Sequence, residues 1–260
     1  MVAAWTPGYM RSTVPAVPEP DPTDGDTVEP MEPGDDAFAP VHRFAELVDG
    51  DPAATPLDET ALALAAVLRR GVDADEAITQ LDAIAADCAS PTFEGLRRHL
   101  YDTLGFGGDG TVADDPRNSF LDLVLARRAG LPILLATVVI EVGRRIGVSA
   151  EGVNMPLHFL VRDPARPDVY LDPVTGRALD DEGVREIFER MAAGRLAWSP
   201  RHLRTVPNRH IVIRMLTNLQ ASYQRRGDRV RLALVARMRA SIPELAQEAA
   251  AAARLGAVFN

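Results

Sequence analysis

The longest apolar stretch of the chain runs from Leu131 to Val142, near its middle. Apolar residues occupy almost every position, so no polar stripe marks a solvent face, and this pattern predicts a helix buried on several sides. Pro132 suits the first turn of that helix, because its missing N–H would have no intrahelical acceptor there. The stretch of about a dozen residues is too short to span a bilayer, so we expect no membrane contact.

After the central helix, the spacing of the apolar residues changes from about 3.6 to about 2. This change predicts three short strands, Gly152–Met155, His158–Arg162 and Val169–Leu171. Residues 163–168 are typical of a turn, and a link this short joins antiparallel strands rather than parallel ones. The sequence therefore predicts a hairpin after the central helix, and helical spacing then predicts an amphipathic helix over Asp180–Met191.

Before the central helix, apolar residues recur at helical spacing from Val41 onward. Two residue pairs, Asp73 with Glu76 and Ser119 with Asp122, have the spacing with which a side chain caps the start of a helix. The pattern predicts an all-helical subdomain over residues 41–104. Its helices are expected at 41–48, 55–70, 73–88 and 90–104, and a further helix at 119–129 ends before Gly130.

Two more helices are predicted at Asn208–Arg226 and Arg229–Gly256, with a break at Ile242-Pro243. Paired antiparallel helices of this kind are similar to one repeat of a helical-hairpin solenoid. A single repeat cannot bury its apolar face alone, so we expect residues 207–260 to pack on the preceding domain. Because helical hairpins present extended grooves, these helices are the predicted surface for a protein partner.

Residues 1–40 differ in composition from the rest of the chain, since they contain eight prolines and eight acidic residues but only one arginine. Few apolar side chains are available to offset the entropy of ordering, so the pattern predicts a disordered acidic tail. The whole chain has a net charge of −9. It offers no overall positive field, and we expect no nucleic-acid partner.

The content of cysteine and lysine limits the reactions that side chains of this chain can perform. Cys88 is the single cysteine, so neither an intrachain disulfide nor a multi-cysteine zinc site is expected. All 28 basic residues are arginine, so no lysine amine can act as a nucleophile or form a Schiff base. No secretory signal is recognised at the N-terminus, and we predict a cytoplasmic protein without a metal or other cofactor.

A candidate catalytic pair consists of His158 and Asp172, which lie 14 residues apart across the predicted hairpin. Side chains on paired strands can come within hydrogen-bond reach of each other. In thiol acyl transfer, a cysteine at a helix N-terminus gives its proton to a histidine that an aspartate orients. The central helix begins instead with Leu131, Pro132 and Ile133, and none of these side chains can act as a nucleophile.

The residues around this pair resemble a known family. The segments NSFLDLVLARRAGLPI, EGVNMPLHFLVR and YLDP are similar to the SirB-type branch of the transglutaminase-like superfamily. The later segment RHIVIRMLTNLQASYQRRGD is similar to the tetratricopeptide-like part of that branch. The resemblance, over about residues 42–240, implies a papain-like α+β core in which His158 and Asp172 match the catalytic His and Asp. It also implies that the cysteine position falls on Pro132 or Ile133.

Three hypotheses follow for the function of this site. In the first, the chain is a pseudo-enzyme that keeps His158 and Asp172, lacks the nucleophile and acts through protein binding or regulation. In the second, it is a hydrolase or amidotransferase in which His158 activates water or an amine as a general base. In the third, it is a purely structural module with Asp172 far from His158. The predicted fold is a transglutaminase-like α+β domain over residues 41–206, with the core at 116–175, followed by the helical segment 207–260. The oligomeric state is left open.

Overall fold

A computed structural model of the protein describes residues 39–108 and 116–247. Residues 243–247 are helical, and three short helical turns of other types occupy Arg98–Thr103, Pro116–Ser119 and Pro200–Leu203. The helices with both ends described are α1 (Ala39–Val48), α2 (Leu57–Leu68), α3 (Ala74–Ala86), α4 (Phe93–Arg97), α5 (Leu121–Arg127), α6 (Pro132–Arg145), α7 (Asp181–Ala192), α8 (Asn208–Arg226) and α9 (Arg229–Ala240). The strands are β1 (Glu151–Val153), β2 (Leu160–Asp163), β3 (Arg166–Asp172) and β4 (Arg177–Leu179).

The four strands form one antiparallel sheet in the order β1-β2-β3-β4. The predicted hairpin is the β2–β3 pair, in which Val161 lies opposite Leu171. Strand β4 was not predicted, because its three residues are polar or only partly buried and sit at the edge of the sheet. Helices surrounding a small antiparallel sheet confirm the predicted α+β fold class.

Helix α6 is the central buried element that the apolar stretch predicts. Every residue from Ile133 to Gly143 is buried. The helix contacts the neighbouring helices α2, α3, α4, α5 and α8 and the strands β1 and β2. It begins at Pro132, as predicted, and the apolar side chains around its whole circumference are the reason that it can occupy this position.

Helices α8 and α9 share the main hydrophobic core with the helices that precede α6. Arg209, which is 4% exposed, donates to the carbonyl oxygens of Val48 at 2.8 Å and of Gly50 at 2.7 Å. Arg231 donates to the carbonyl oxygen of Leu68 at 3.2 Å. These bonds satisfy carbonyl groups at the ends of α1 and α2, so the C-terminal helices are held against the N-terminal ones.

The two predicted capping pairs have different outcomes. Asp73 accepts a hydrogen bond from the backbone N–H of Glu76 at 2.9 Å and caps α3, as predicted. The predicted cap at Ser119 is wrong, because α5 begins one residue later with Phe120 in the extended N-cap position. Asp122 forms an ion pair with Arg69 instead of supporting a cap.

Several predicted boundaries also need correction. Thr92, rather than Ser90, caps the helix predicted at 90–104, and that helix widens into a π-helical turn after Arg97. Helix α5 ends at Arg127, and the left-handed residue that ends it is Arg128, with φ +56°, rather than Gly130. Only residues 39 and 40 of the predicted tail lie within the described residues, and both belong to α1; residues 248–256 of the last predicted helix lie outside them.

Candidate functional site

His158 enters the site from a turn and not from a strand, which corrects the predicted strand His158–Arg162. Strand β2 begins two residues later, at Leu160. The backbone N–H of His158 donates to the carbonyl of Met155 at 3.2 Å, and Leu157 between them has φ +70°. A left-handed backbone is uncommon for a residue with a side chain and is often found at functional sites.

The imidazole of His158 and the carboxylate of Asp172 form a buried pair. His158 Nε2 lies 2.9 Å from Asp172 Oδ1, and the two residues are 8% and 5% exposed. The same carboxylate accepts hydrogen bonds from Val174 N–H at 3.0 Å and Thr175 Oγ1 at 2.8 Å. Burial alone would raise the pKa of Asp172, but these hydrogen bonds outweigh it, so the pKa is lowered and the carboxylate is ionised at neutral pH.

A cavity of about 340 Å³ opens beside His158. Residues at the start of α6 and residues on one face of α8 both line it. Asp172 contacts the imidazole at Nε2, so Nδ1 is the ring nitrogen that Asp172 does not engage. The lining residues are Ser119, Leu131, Pro132, Ile133, Leu157, His158, Phe159, Met191, Arg214, Asn218, Ala221, Ser222 and Arg225.

The wall at the start of α6 carries no thiol. It consists of Leu131, Pro132 and Ile133, and no cysteine belongs to the lining among the described residues. The single cysteine, Cys88, follows α3, and its sulfur lies 3.6 Å from the carbonyl oxygen of Ser90. The structure therefore brings His158 and Asp172 together with Pro132 and Ile133 at one site, with apolar groups where a nucleophile is expected.

The comparison with known proteins places these residues in a family. A family model described as the transglutaminase-like superfamily matches residues 59–217, which include the dyad and helix α6. The chain belongs to the transglutaminase-like superfamily. No solved structure matches the chain significantly.

Each of the curated relatives below aligns with this chain over only part of its own length. A UPF0162 protein of Xylella fastidiosa is 42% identical over 134 residues, which cover 49% of this chain and 47% of the relative. UPF0162 protein PA3419 of Pseudomonas aeruginosa is 35% identical over 156 residues, which cover 59% and 57%. F-box only protein 21 of Homo sapiens is 36% identical over 73 residues, which cover 28% and 12%. The chain thus spans about half the length of the first two relatives.

Arg214 is a further residue of this transglutaminase-like site, and the sequence did not single it out. Its guanidinium donates to Asn154 Oδ1 at 3.0 Å. Across residues 39–108 and 116–247, no acidic side chain forms an ion pair with it. Burial lowers the pKa of Arg214, although a guanidinium stays protonated in proteins. A half-buried cation without a counter-ion therefore lines the cavity beside the dyad.

One sequence signal could have identified the α8 wall of the cavity. Arg214, Asn218 and Ser222 follow one another at intervals of four residues, so they lie along one face of a helix. A polar stripe of this kind is normally a solvent-facing surface. The stripe lines a cavity here because α8 packs against α6, so that residues of both helices belong to the same lining.

No helix in the described part of the chain is both long and apolar enough to cross a membrane. Within the same ranges, no group of three or more His, Cys, Asp or Glu side chains is arranged to hold a metal ion.

Proposed function

We propose that this chain is a non-catalytic member of the transglutaminase-like superfamily that acts by binding a ligand or protein partner at the cavity beside His158. The observation that carries the proposal is the apolar wall of Leu131, Pro132 and Ile133. Pro132 also lacks a backbone N–H, so it cannot help to stabilise an oxyanion at the start of α6. In this interpretation the dyad is retained as part of the cavity wall.

The assignment to the SirB-type branch belongs to the same proposal. The C-terminal helices would act as a tetratricopeptide-like segment, and a protein partner would contact them. The inner faces of α8 and α9 are already buried in the core. The polar stripe of Arg214, Asn218 and Ser222, which borders the cavity, is the part of α8 that supports a contact of this kind.

The alternative function is a hydrolase or amidotransferase in which His158 is a general base. One observation favours it: His158 of the dyad borders an open cavity instead of being sealed beneath the apolar side chains. A histidine whose Nε2 is held by an aspartate can take a proton from water through Nδ1. Ser119 supplies a hydroxyl in the same lining, and no hydrogen bond to a described residue engages it.

The two functions differ in whether the cavity reacts with an acyl donor. Purified protein would be incubated with a peptide thioester and with p-nitrophenyl acetate, and acyl groups would be mapped by peptide mass spectrometry. We expect no acylation of any lining residue and no turnover that depends on His158.

The matched control is His42→Ala, since His42 is exposed and lies outside the cavity. An acyl group on Ser119 or Ser222 would overturn the non-catalytic proposal. Turnover that His158→Ala abolishes and His42→Ala keeps would overturn it as well.

A further inference from the structure

The described lining of the cavity contains no carboxylate, although the chain is acidic as a whole. The sequence has 37 acidic residues against 28 basic ones. The lining described above contains Arg214 and Arg225 but no aspartate or glutamate. The carboxylate of Asp172 contacts the lining residue His158, and it also accepts hydrogen bonds from Val174 and Thr175. Its carboxylate oxygens are therefore already bonded to the imidazole of His158 and to the loop that follows β3.

Arg214 differs from another arginine whose pKa burial also lowers. Arg69 lies in a partly buried position and is paired with Asp122. Arg214 is partly buried as well, but the partner of its guanidinium is the neutral amide of Asn154. Removing a cation from water without a counter-ion is unfavourable. An anion in the cavity would offset this cost, because it would supply the charge that the protein does not.

The start of α6 adds a second favourable element for an anion. The helix has 14 residues, and no side chain caps its N-terminus at Leu131. The positive end of its dipole lies at the cavity wall and favours a negative charge there, although Pro132 has no N–H to donate and the N–H of Leu134 is bonded to the carbonyl of Leu131. The remaining wall is largely apolar, with Pro132, Ile133 and Phe159 among its residues, and suits the hydrocarbon part of a ligand.

We infer that the cavity binds a carboxylate group attached to a small apolar body, and that Arg214 is the cation that anchors it. The planar fork of a guanidinium can bond both oxygens of a carboxylate. A single arginine without a counter-ion matches the single charge of a carboxylate better than the nearly double charge of a phosphate monoester. The cavity of about 340 Å³ is at the small end of the range for ligand sites. This inference rests on the proposed binding function and specifies its ligand class.

The test is calorimetric titration of the full chain with two kinds of carboxylate probe. Hexanoate and benzoate represent small acids, whereas Ala-Ala-Phe with a free C-terminus represents a peptide end. Hexanamide, benzamide and the amidated tripeptide are the uncharged counterparts. We expect at least one carboxylate to bind and its amide to bind about tenfold more weakly or not at all. The set that binds identifies the source of the carboxylate.

Variants of the protein test the anchoring role of Arg214. Arg214→Met keeps a long apolar side chain and should weaken binding of the carboxylate by about tenfold or more. Arg214→Lys should restore part of the affinity, since it restores the charge without the fork. The matched control is Arg229→Met, because Arg229 is exposed on α9 and does not line the cavity. It should bind as the unmodified protein does.

The outcomes separate this inference from the proposed function. If no carboxylate binds, if the amides bind equally well, or if Arg214→Met binds as tightly as the unmodified chain, the inference is wrong and the non-catalytic proposal still stands. If a lining residue becomes acylated while carboxylates bind through Arg214, the non-catalytic proposal is wrong and the inference stands.

Discussion

At its C-terminal end, helix α6 lies in a cluster of four charged side chains, whereas at its N-terminal end it borders the cavity with Arg214. In the cluster, Arg145 contacts Asp58 at 2.7 Å and Glu141 at 2.9 Å. Arg144 contacts the same two carboxyl groups, at 3.3 Å and 2.8 Å. Every charge in the cluster therefore has an oppositely charged partner, and Arg214 has no such partner among the described residues.

At the C-terminal end of α6, the carboxyl groups of Asp58 and Glu141 affect each other's pKa. Burial, and next the charge of Asp58, raise the pKa of Glu141. Burial would also raise the pKa of Asp58, but hydrogen bonds, first from Arg145, outweigh it and lower that pKa. The two pKa values therefore move in opposite directions, so Asp58 loses its proton more readily than Glu141 does. The comparison suggests that paired buried charge stabilises the fold, and that unpaired charge beside a cavity serves a ligand.

The largest effect is expected from breaking the charge cluster. Asp58→Ala would remove the buried carboxylate that Arg144 and Arg145 share, and would leave Arg145, whose side chain is 11% exposed, with only Glu141 and the exposed Asp82 as partners. We expect the free energy of unfolding to fall by about 3–5 kcal/mol, measured by urea denaturation. The matched control is Asp82→Ala, since Asp82 contacts the same arginine but its side chain is 62% exposed. That variant should lose less than about 1 kcal/mol. Equal losses would contradict the structural role of the cluster.

A smaller effect is expected from the carboxylate of the dyad. The folded-state pKa of Asp172 lies below its unfolded value. Its contribution to stability is therefore complete above the unfolded pKa of about 3.9 and is lost as the pH falls through the folded pKa. We expect Asp172→Asn to lower the free energy of unfolding at pH 7 by about 1–3 kcal/mol and to weaken its dependence on pH below about 4.

The control for this pH effect lies on the same strand. Asp168 belongs to β3 and is exposed, so Asp168→Asn should leave both the stability at pH 7 and its acid dependence nearly unchanged. Denaturation curves measured between pH 2 and pH 7 would compare the two variants. If both variants show the same pH dependence, Asp172 does not contribute in the way proposed.

The sequence predicts those parts of the site that have a local pattern. Helix α6 follows from an apolar stretch that leaves no solvent face, and Pro132 marks its start. The approach of His158 to Asp172 follows from a turn between two antiparallel strands, because the register brings the end of β3 beside the segment that enters β2. These features depend on neighbours close in the sequence.

The features that the sequence does not predict depend on packing between distant segments. Arg214 is one of many arginines, and its unusual position arises only because residues of α8 and of the start of α6 line the same cavity. Ser119 has the spacing of a helix cap, but α5 starts one residue later and leaves its hydroxyl in the cavity lining. Strand β4 has no buried residue that would produce an alternating pattern.

The smallest change in stability, and the most direct test of the account, is expected for Arg214→Met. Urea denaturation would be measured with and without a carboxylate probe that binds the unmodified chain. Without the probe, we expect the variant to differ in free energy of unfolding by less than about 1 kcal/mol, because no ion pair is lost. With the probe at 100 times its Kd, the unmodified chain should gain about 2.7 kcal/mol and the variant much less. Equal gains, or a loss from Arg214→Met as large as that from Asp58→Ala, would contradict the claim that this end of α6 is a binding site.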